Sequence, residues 1–355
     1  MSLLINLSFI LTKPTGTTTY AFNLLSHLQS LQPTLLTSQY YPEYNCYQTP
    51  VNQTSEQGIK GHLRRLVWTQ FQLPKIYKKL KSKLLFSPIP EAPINTSSRF
   101  VVTIHDLIPL RFSKRFSPLR LYHRYYVPQV LKQAEHIICN SQATAKDIID
   151  FYQIPARKIT PIPLAYDRTH FHHLNIPTRN YFLYIGRQDP YKNVNRLIAA
   201  FAALPNSGDY ELWLAGPSDR RYTPTLTAQV AELGITHQVK FLDYIPEGEL
   251  PKIINQAIAL VFPSLWEGFG LPVLEAMACG TPVITSNISS LPEVTGDAAI
   301  LINPYNTGEI TEAMQVIATD LELRSRLSSQ GITHSQQFSW EKTGKATVEV
   351  LSRYL

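Results

Sequence analysis

Two carboxylates, Glu267 and Glu275, stand with seven residues between them in the run FPSLWEGFGLPVLEAMACGTPVITS at positions 262–286. The apolar stretch Ala259–Phe262 before them is short enough for a buried parallel strand. The turn Glu267-Gly268-Phe269-Gly270 follows, and Pro272 falls where a helix takes its first residue. Gly280 suits a left-handed cap, and Pro282 bars continuation before a strand at 283–285. Strand, glycine turn and helix start together present backbone N–H groups and a positive dipole end, which favour an anion. Carboxylates repel phosphate but accept hydrogen bonds from hydroxyls, so the pattern points to a ligand carrying both, such as a nucleotide sugar. Taken singly, each acid has a plainer reading: Glu275, in the first helical turn, complements the dipole, and Glu267 is a solvated loop residue.

Arg187 and Lys192 follow the apolar strand Tyr181–Ile185, the first in a Gly186-Arg187 turn and the second near a helix start. If a nucleotide sugar is cleaved, charge builds on the departing diphosphate, and two cations at a strand end can receive it. The chain contains no Asp-x-Asp pair to hold a metal for that purpose. The expectation is a metal-free clamp with no cofactor beyond the co-substrate. Each cation alone also reads as an ordinary surface charge.

The 262–286 run resembles the Glu-x7-Glu signature of the retaining glycosyltransferases of family 4, which have the GT-B fold: two Rossmann-like domains facing across a deep cleft. The flanking Gly-Phe-Gly-Leu-Pro, including Leu271, and Glu-Ala-Met-Ala-Cys-Gly-Thr-Pro-Val match as well. The resemblance implies that Glu275 accepts from ribose hydroxyls, that Glu267 contacts the donor sugar, and that the amides of Phe269 and Gly270 hold sugar or phosphate. It places the base at Asp243-Tyr244-Ile245-Pro246 and the transferred sugar beside His105, in His105-Asp106-Leu-Ile-Pro-Leu. The turn at 14–19 corresponds to a glycine-rich loop near donor and acceptor, but here only Gly16 is glycine and threonines stand where glycine is common. Transfer with retention is implied, the leaving phosphate helping to deprotonate the acceptor, with UDP-glucose, slightly favoured, or GDP-mannose as donor. A lipid-linked or oligosaccharide acceptor in exopolysaccharide or cell-envelope synthesis completes the expectation.

The elements that must position these residues alternate between strand and helix. Strands are expected at 3–10, 100–104, 137–139 and 159–164, and again at 181–185, 211–215, 239–242, 259–262 and 299–302, with helices at 20–31, 144–152 and 339–355. Two α/β halves follow: an acceptor domain at 1–170, a donor domain at 171–338, and a C-terminal helix at 339–355 returning to the first domain with Trp340, Val348 and Leu351 inward. Residues 33–60 lack a clear period and read as loops and short strands.

A length of 355 residues, 44% apolar and 17% charged, fits two soluble globular domains. Cys46, Cys139 and Cys279 lie far apart without metal-ligand spacing, as in a reduced cytosolic protein. The apolar start, without a basic leader or small-residue cleavage site, reads as a first strand and not a signal peptide. The net charge of +7 is unevenly spread: residues 1–175 hold 20 Lys/Arg and 8 Asp/Glu, a net +12, and residues 176–355 hold 13 and 18, a net −5. No nucleic-acid motif accompanies the basic half. The segment 60–84 alternates Leu63, Leu66, Val67, Phe71 and Leu73 with Arg64, Arg65, Lys75, Lys78, Lys79, Lys81 and Lys83. It reads as a solvated helix face or as a contact for the anionic inner face of a membrane. Two other readings use the same residues: a nucleotide-sugar epimerase of the same fold, and a non-catalytic membrane-docked partner protein.

Overall fold

A computed structural model describes residues 2–11, 16–112, 116–243 and 245–355. The chain divides into two compact units, Met1–Leu164 with Ser339–Leu355, and Ala165–Phe338.

The first unit is built on a seven-stranded parallel sheet. In chain order its strands are β1 (Leu3–Asn6), β2 (Thr34–Thr37), β3 (Asn45–Gln48), β4 (Leu84–Ser87), β5 (Phe100–Ile104), β6 (His136–Cys139) and β7 (Ile159–Pro161). In space they run β3-β2-β1-β4-β5-β6-β7. The second unit has six parallel strands, β8 (Tyr181–Ile185), β9 (Glu211–Ala215), β10 (Val239–Leu242), β11 (Ala259–Phe262), β12 (Val283–Ser286) and β13 (Ile300–Ile302), ordered β10-β9-β8-β11-β12-β13. β1, β4, β5, β6 and β11 are buried along their whole length, as continuous apolar strands covered on both faces must be. In each sheet the strand order reverses once, between β1 and β4 and between β8 and β11, and ligands of open α/β sheets lie beyond the carboxyl ends at such a point.

Several boundaries differ from expectation. The helix expected at 20–31 is α1 (Gly16–Leu25) followed by a 3-10 turn, Ser26–Leu31, that stops at left-handed Gln32. The basic segment forms α2 (Gly58–Phe71) and α3 (Leu73–Lys79) and then enters β4, a central strand its lysine-rich approach conceals. Ser339 caps the last helix, Trp340–Ser352, by accepting from the Lys342 amide. That helix buries Thr343, Gly344, Thr347, Val350 and Leu351, so Val350 takes the place expected of Val348, and half-buried Trp340 leans on Tyr20 at 6.3 Å. A methyl at Gly344 would come within 2.2 Å of His27 Cβ, so glycine is what allows this close seat on the first unit. Cys139, Cys279 and Cys46 form no disulfide; the first two are buried and Cys46 is half-buried. Among the described residues no helix is long and apolar enough to cross a membrane.

Candidate active site

The crevice between β8 and β11 gathers most of the sequence candidates. After β8, Gly186 adopts φ 152°, and after the neighbouring β9, Gly216 adopts φ 146°. A Cβ on Gly216 would lie 2.0 Å from the Gly186 carbonyl oxygen, so two backbones pass where no side chain fits. Beyond Gly186 the chain makes a short turn, Pro190–Lys192, and passes through left-handed Asn193 into the helix Val194–Ala202. The buried Asn193 amide donates to the carbonyls of Pro263 (3.0 Å) and Pro304 (2.7 Å), and the Leu265 amide donates to the Tyr191 carbonyl (2.7 Å). These bonds lock the loop after β8 to the loop after β11.

They also set Lys192 against Glu267. The ammonium lies 2.6 Å from Glu267 Oε1, with side-chain exposures of 13% and 10%, and 5.2 Å from the centre of the Phe262 ring. An ion pair so far out of water contributes little net stability, because desolvation offsets the attraction. What the placement provides is an oriented carboxylate beside an ammonium with three N–H donors, at the edge where ligands bind.

The glycine turn is held from β12. The Glu267 amide donates to Ser289 Oγ (3.2 Å), and the Ser290 hydroxyl reaches the carbonyls of Glu267 (3.1 Å) and Phe269 (2.7 Å). Gly270, at φ 111°, caps the helix Leu271–Ala278, and a Cβ there would meet a Leu291 methyl at 2.7 Å. The helix closes as expected on Gly280, at φ 74°, with Gly280 donating to the Met277 carbonyl and Thr281 to that of Ala276. Glu275 is the fifth helical residue, so it lies in the second turn and not the first; Leu271–Ala278 has no acid in its first turn. It is half-buried.

Arg187 does not join Lys192 at Glu267. Its side chain, 64% exposed, rests on Asp189 (Nε to Oδ2, 3.1 Å), and Arg221 Nη2 approaches the same carboxylate at 3.8 Å while forking onto Asp219. The Arg187 backbone is fixed by the Tyr184 hydroxyl, which donates to its carbonyl at 2.6 Å. Asp243 accepts from the Ser218 hydroxyl and Ile245 is half-buried, while Tyr244 lies outside the described residues.

Gly16 and His105 belong to the first unit. Gly16 is the exposed first residue of α1, and a methyl there would meet nothing within 4 Å. His105 follows β5. Its Nε2 lies 2.9 Å from the Pro88 carbonyl, which can only accept, so Nε2 carries the proton and Nδ1 keeps its lone pair. Burial pushes the imidazole pKa down to about 4, the carbonyl bond opposing, so the ring is neutral at pH 7 and its Nδ1 can accept a hydrogen bond from a hydroxyl. The ring stands edge-on to Tyr20 at 4.9 Å.

A pocket of about 310 Å³ opens beside it, lined from the loops after β1, β4 and β5 by Phe9, Glu91 and His105 and from α2 by Arg65. It too lies at the strand-order reversal of its sheet. Arg65, expected among the surface cations, is buried instead: Nε and Nη2 grip the two Glu91 oxygens at 2.7 Å each, and Nη1 donates to the Gln53 carbonyl at 3.0 Å. Sequence reading missed this pair, as well as Asp189, Arg221, Ser289 and Ser290. The partners are 22 to 32 residues apart or lie in loops without a period, and only the isolated acid at 91 in a basic stretch hinted at one of them.

Family models cover both units: Glycosyl transferases group 1 matches residues 166–334 and Glycosyltransferase Family 4 matches residues 14–170. The chain belongs to glycosyltransferase family 4, whose GT-B fold its two Rossmann-like units display. It is 31% identical over 265 residues to O-antigen chain mannosyltransferase B of Escherichia coli, covering 70% of this chain and 69% of that one. To O-antigen chain mannosyltransferase RfbU of Salmonella typhimurium it is 28% identical over 314 residues, covering 85% and 87%. It spans about a third, 34%, of a longer serotype-specific mannosyltransferase of E. coli that it also matches. Among solved structures, sucrose-phosphate synthase from Thermosynechococcus elongatus superposes with a TM-score of 0.77 at 19% identity, covering 99% of this chain and 98% of that one, a likeness of fold.

Proposed function

We propose that the protein is a retaining, metal-independent mannosyltransferase that moves mannose from GDP-mannose to a lipid-linked or oligosaccharide acceptor during cell-surface polysaccharide assembly. The observation that carries the reading is the Lys192–Glu267 pair at the β8/β11 crevice. Lys192 meets the diphosphate as negative charge grows on it, Glu267 takes hydroxyls of the sugar, and the turn 268–271 supplies amides. Arg187 leaves Asp189 to complete the clamp. Glu275 takes the ribose hydroxyls, as the family signature implies. His105 accepts a hydroxyl of the transferred sugar, and the pocket beside it is the acceptor-side candidate. No side chain is assigned as a nucleophile; the departing phosphate assists deprotonation of the acceptor on the same face.

Mannose is preferred over the glucose favoured from sequence because the relatives above are mannosyltransferases. Incubation with GDP-mannose and UDP-glucose, each with and without EDTA and acceptor, tests the reading. Acceptor-dependent release of GDP that survives EDTA, with an α-linked product by NMR, is expected. Loss of activity in EDTA refutes the metal-free clamp, preference for UDP-glucose refutes the donor, and a new nucleotide sugar formed without acceptor indicates epimerisation.

A further inference from the structure

The helical stretch 118–133 contains one irregular turn. Tyr122–Tyr126 is π-helical, the Val127 amide donating to the Tyr122 carbonyl. Pro128 follows at once and has no amide to close an ordinary turn on Arg124, so the ladder slips by one residue. The slip sets its rings against the loop after β4. The Tyr122 hydroxyl donates to the Pro90 carbonyl (3.1 Å) and the Tyr126 hydroxyl to the Ala92 carbonyl (2.9 Å), with the two rings stacked at 5.2 Å. The Tyr152 hydroxyl donates to the carbonyl of His123 itself at 2.5 Å. Three phenols therefore fix the backbone around His123.

His123 borders the pocket beside His105 and is 8% exposed. Its Nδ1 is out of reach of solvent and has no hydrogen-bond partner among the described residues. Burial lowers its pKa to about 4, so at pH 7 the ring is neutral, with one N–H donor and one lone pair. A buried ring nitrogen without a partner is costly, and nothing else in the turn is left unsatisfied in this way. A ligand hydroxyl both donates and accepts, so it meets either tautomer. A half-turn about the Cβ–Cγ bond exchanges the ring's two edges at little torsional cost.

The ionic groups around the pocket select the kind of hydroxyl compound. Among the described lining residues Arg65 is the single Lys or Arg, and its nitrogens already turn to Glu91, Gln53 and His62. His62 is held below its usual pKa by burial and then by the Arg65 charge, Glu91 opposing, and adds no cation at pH 7. The Asp106 carboxylate accepts from the Ile108 amide and also borders the pocket. One cation thus stands against two carboxylates. A phosphate or carboxylate ligand, which only accepts, would be repelled there, whereas an uncharged polyol would not.

We propose that the acceptor ends in an uncharged sugar, one of whose hydroxyls bonds to His123, which makes this histidine a specificity-determining residue of the pocket. The inference rests on the transfer reading and deepens it by naming what the acceptor presents.

Long-range proton–nitrogen NMR of the full chain, labelled at its 10 histidines, reads the contact without any reaction. The His123 signals are assigned by their loss in His123→Asn or His123→Gln. Methyl α-mannoside at saturation is expected to shift the His123 ring nitrogens, and mannose 6-phosphate to bind about tenfold more weakly or worse. In the transfer assay with a neutral mannoside acceptor, His123→Phe should raise the acceptor KM by about tenfold with a much smaller change in kcat. His123→Asn, which keeps a polar atom near the place of Nδ1, should recover most of that loss. The proposal is overturned if the mannoside shifts His105 but not His123, if it shifts neither ring, if mannose 6-phosphate binds equally well, or if His123→Phe keeps the wild-type KM. Shifts at His123 in a protein that consumes no GDP-mannose would instead refute the donor reading and leave the sugar contact standing.

Discussion

In the second unit the crevice at the sheet's reversal is edged by Lys192 and Glu267, carried on loops whose backbones are pinned to each other by Asn193 and Leu265. In the first unit the equivalent crevice is edged by neutral His105 and by Arg65 and Glu91, which spend their charges on each other. One topology thus yields two kinds of site. The second sets ionic groups at a backbone-shaped edge, and the first uses its ionic pair to hold the loop after β4 and leaves a neutral ring beside its pocket. Under the proposed reaction, a charged donor and an uncharged sugar would call for that difference.

The comparison breaks most readily at Arg65. Arg65→Ala strands the Glu91 carboxylate, and the first unit should lose about 3–5 kcal/mol, seen in urea unfolding as earlier exchange of peptides from the first unit while those of the second keep their protection. If both units loosen equally, the pair is not specific to the first. Lys192→Ala should reduce kcat by about a hundred- to a thousandfold; it also leaves the nearly buried Glu267 carboxylate unpaired, so some loss of Tm accompanies it, and a loss of Tm with kcat retained would make Lys192 structural. Gly216→Ala presses a methyl onto the Gly186 carbonyl, and about 1–3 kcal/mol of destabilisation, read from the urea midpoint, is expected in the second unit.

A separate test of the comparison concerns pH. In the first unit, burial lowers the pKa values of His105, His123 and His136 to about 4. In the unfolded chain these rings titrate near 6.5, so between about 4 and 6.5 the unfolded state binds more protons. Stability should fall as pH drops through that window and then level off. A first unit whose urea midpoint is the same at both ends of the window would remove the neutral-histidine account.

How much of this was legible depended on whether backbone or tertiary contact made the feature. β8, β9, β10 and β11 matched their apolar runs residue for residue, and Gly270, Pro272 and Gly280 marked the helix between β11 and β12 because each is required by a local conformation. Glu267 and Lys192 stood out by their place at strand ends. At α2 the basic residues, Arg65 among them, read as a solvated or membrane-facing surface, and the acid that buries Arg65 lies 26 residues away. β4 was hidden by the lysines preceding it. The hold of Asp189 on Arg187 also escaped notice, since an aspartate two residues after an arginine in a loop carries no periodic signal.

The seat of the helix Trp340–Ser352 on the first unit has a consequence for biosynthesis. The half of the protein synthesised first lacks one of its own packing elements until residues 340–352 have been added, whereas the half synthesised second is one uninterrupted segment. On the ribosome, the segment of the second unit is therefore complete earlier, and the nascent amino-terminal half must wait, its surface around Tyr20 and His27 uncovered, for the helix Trp340–Ser352.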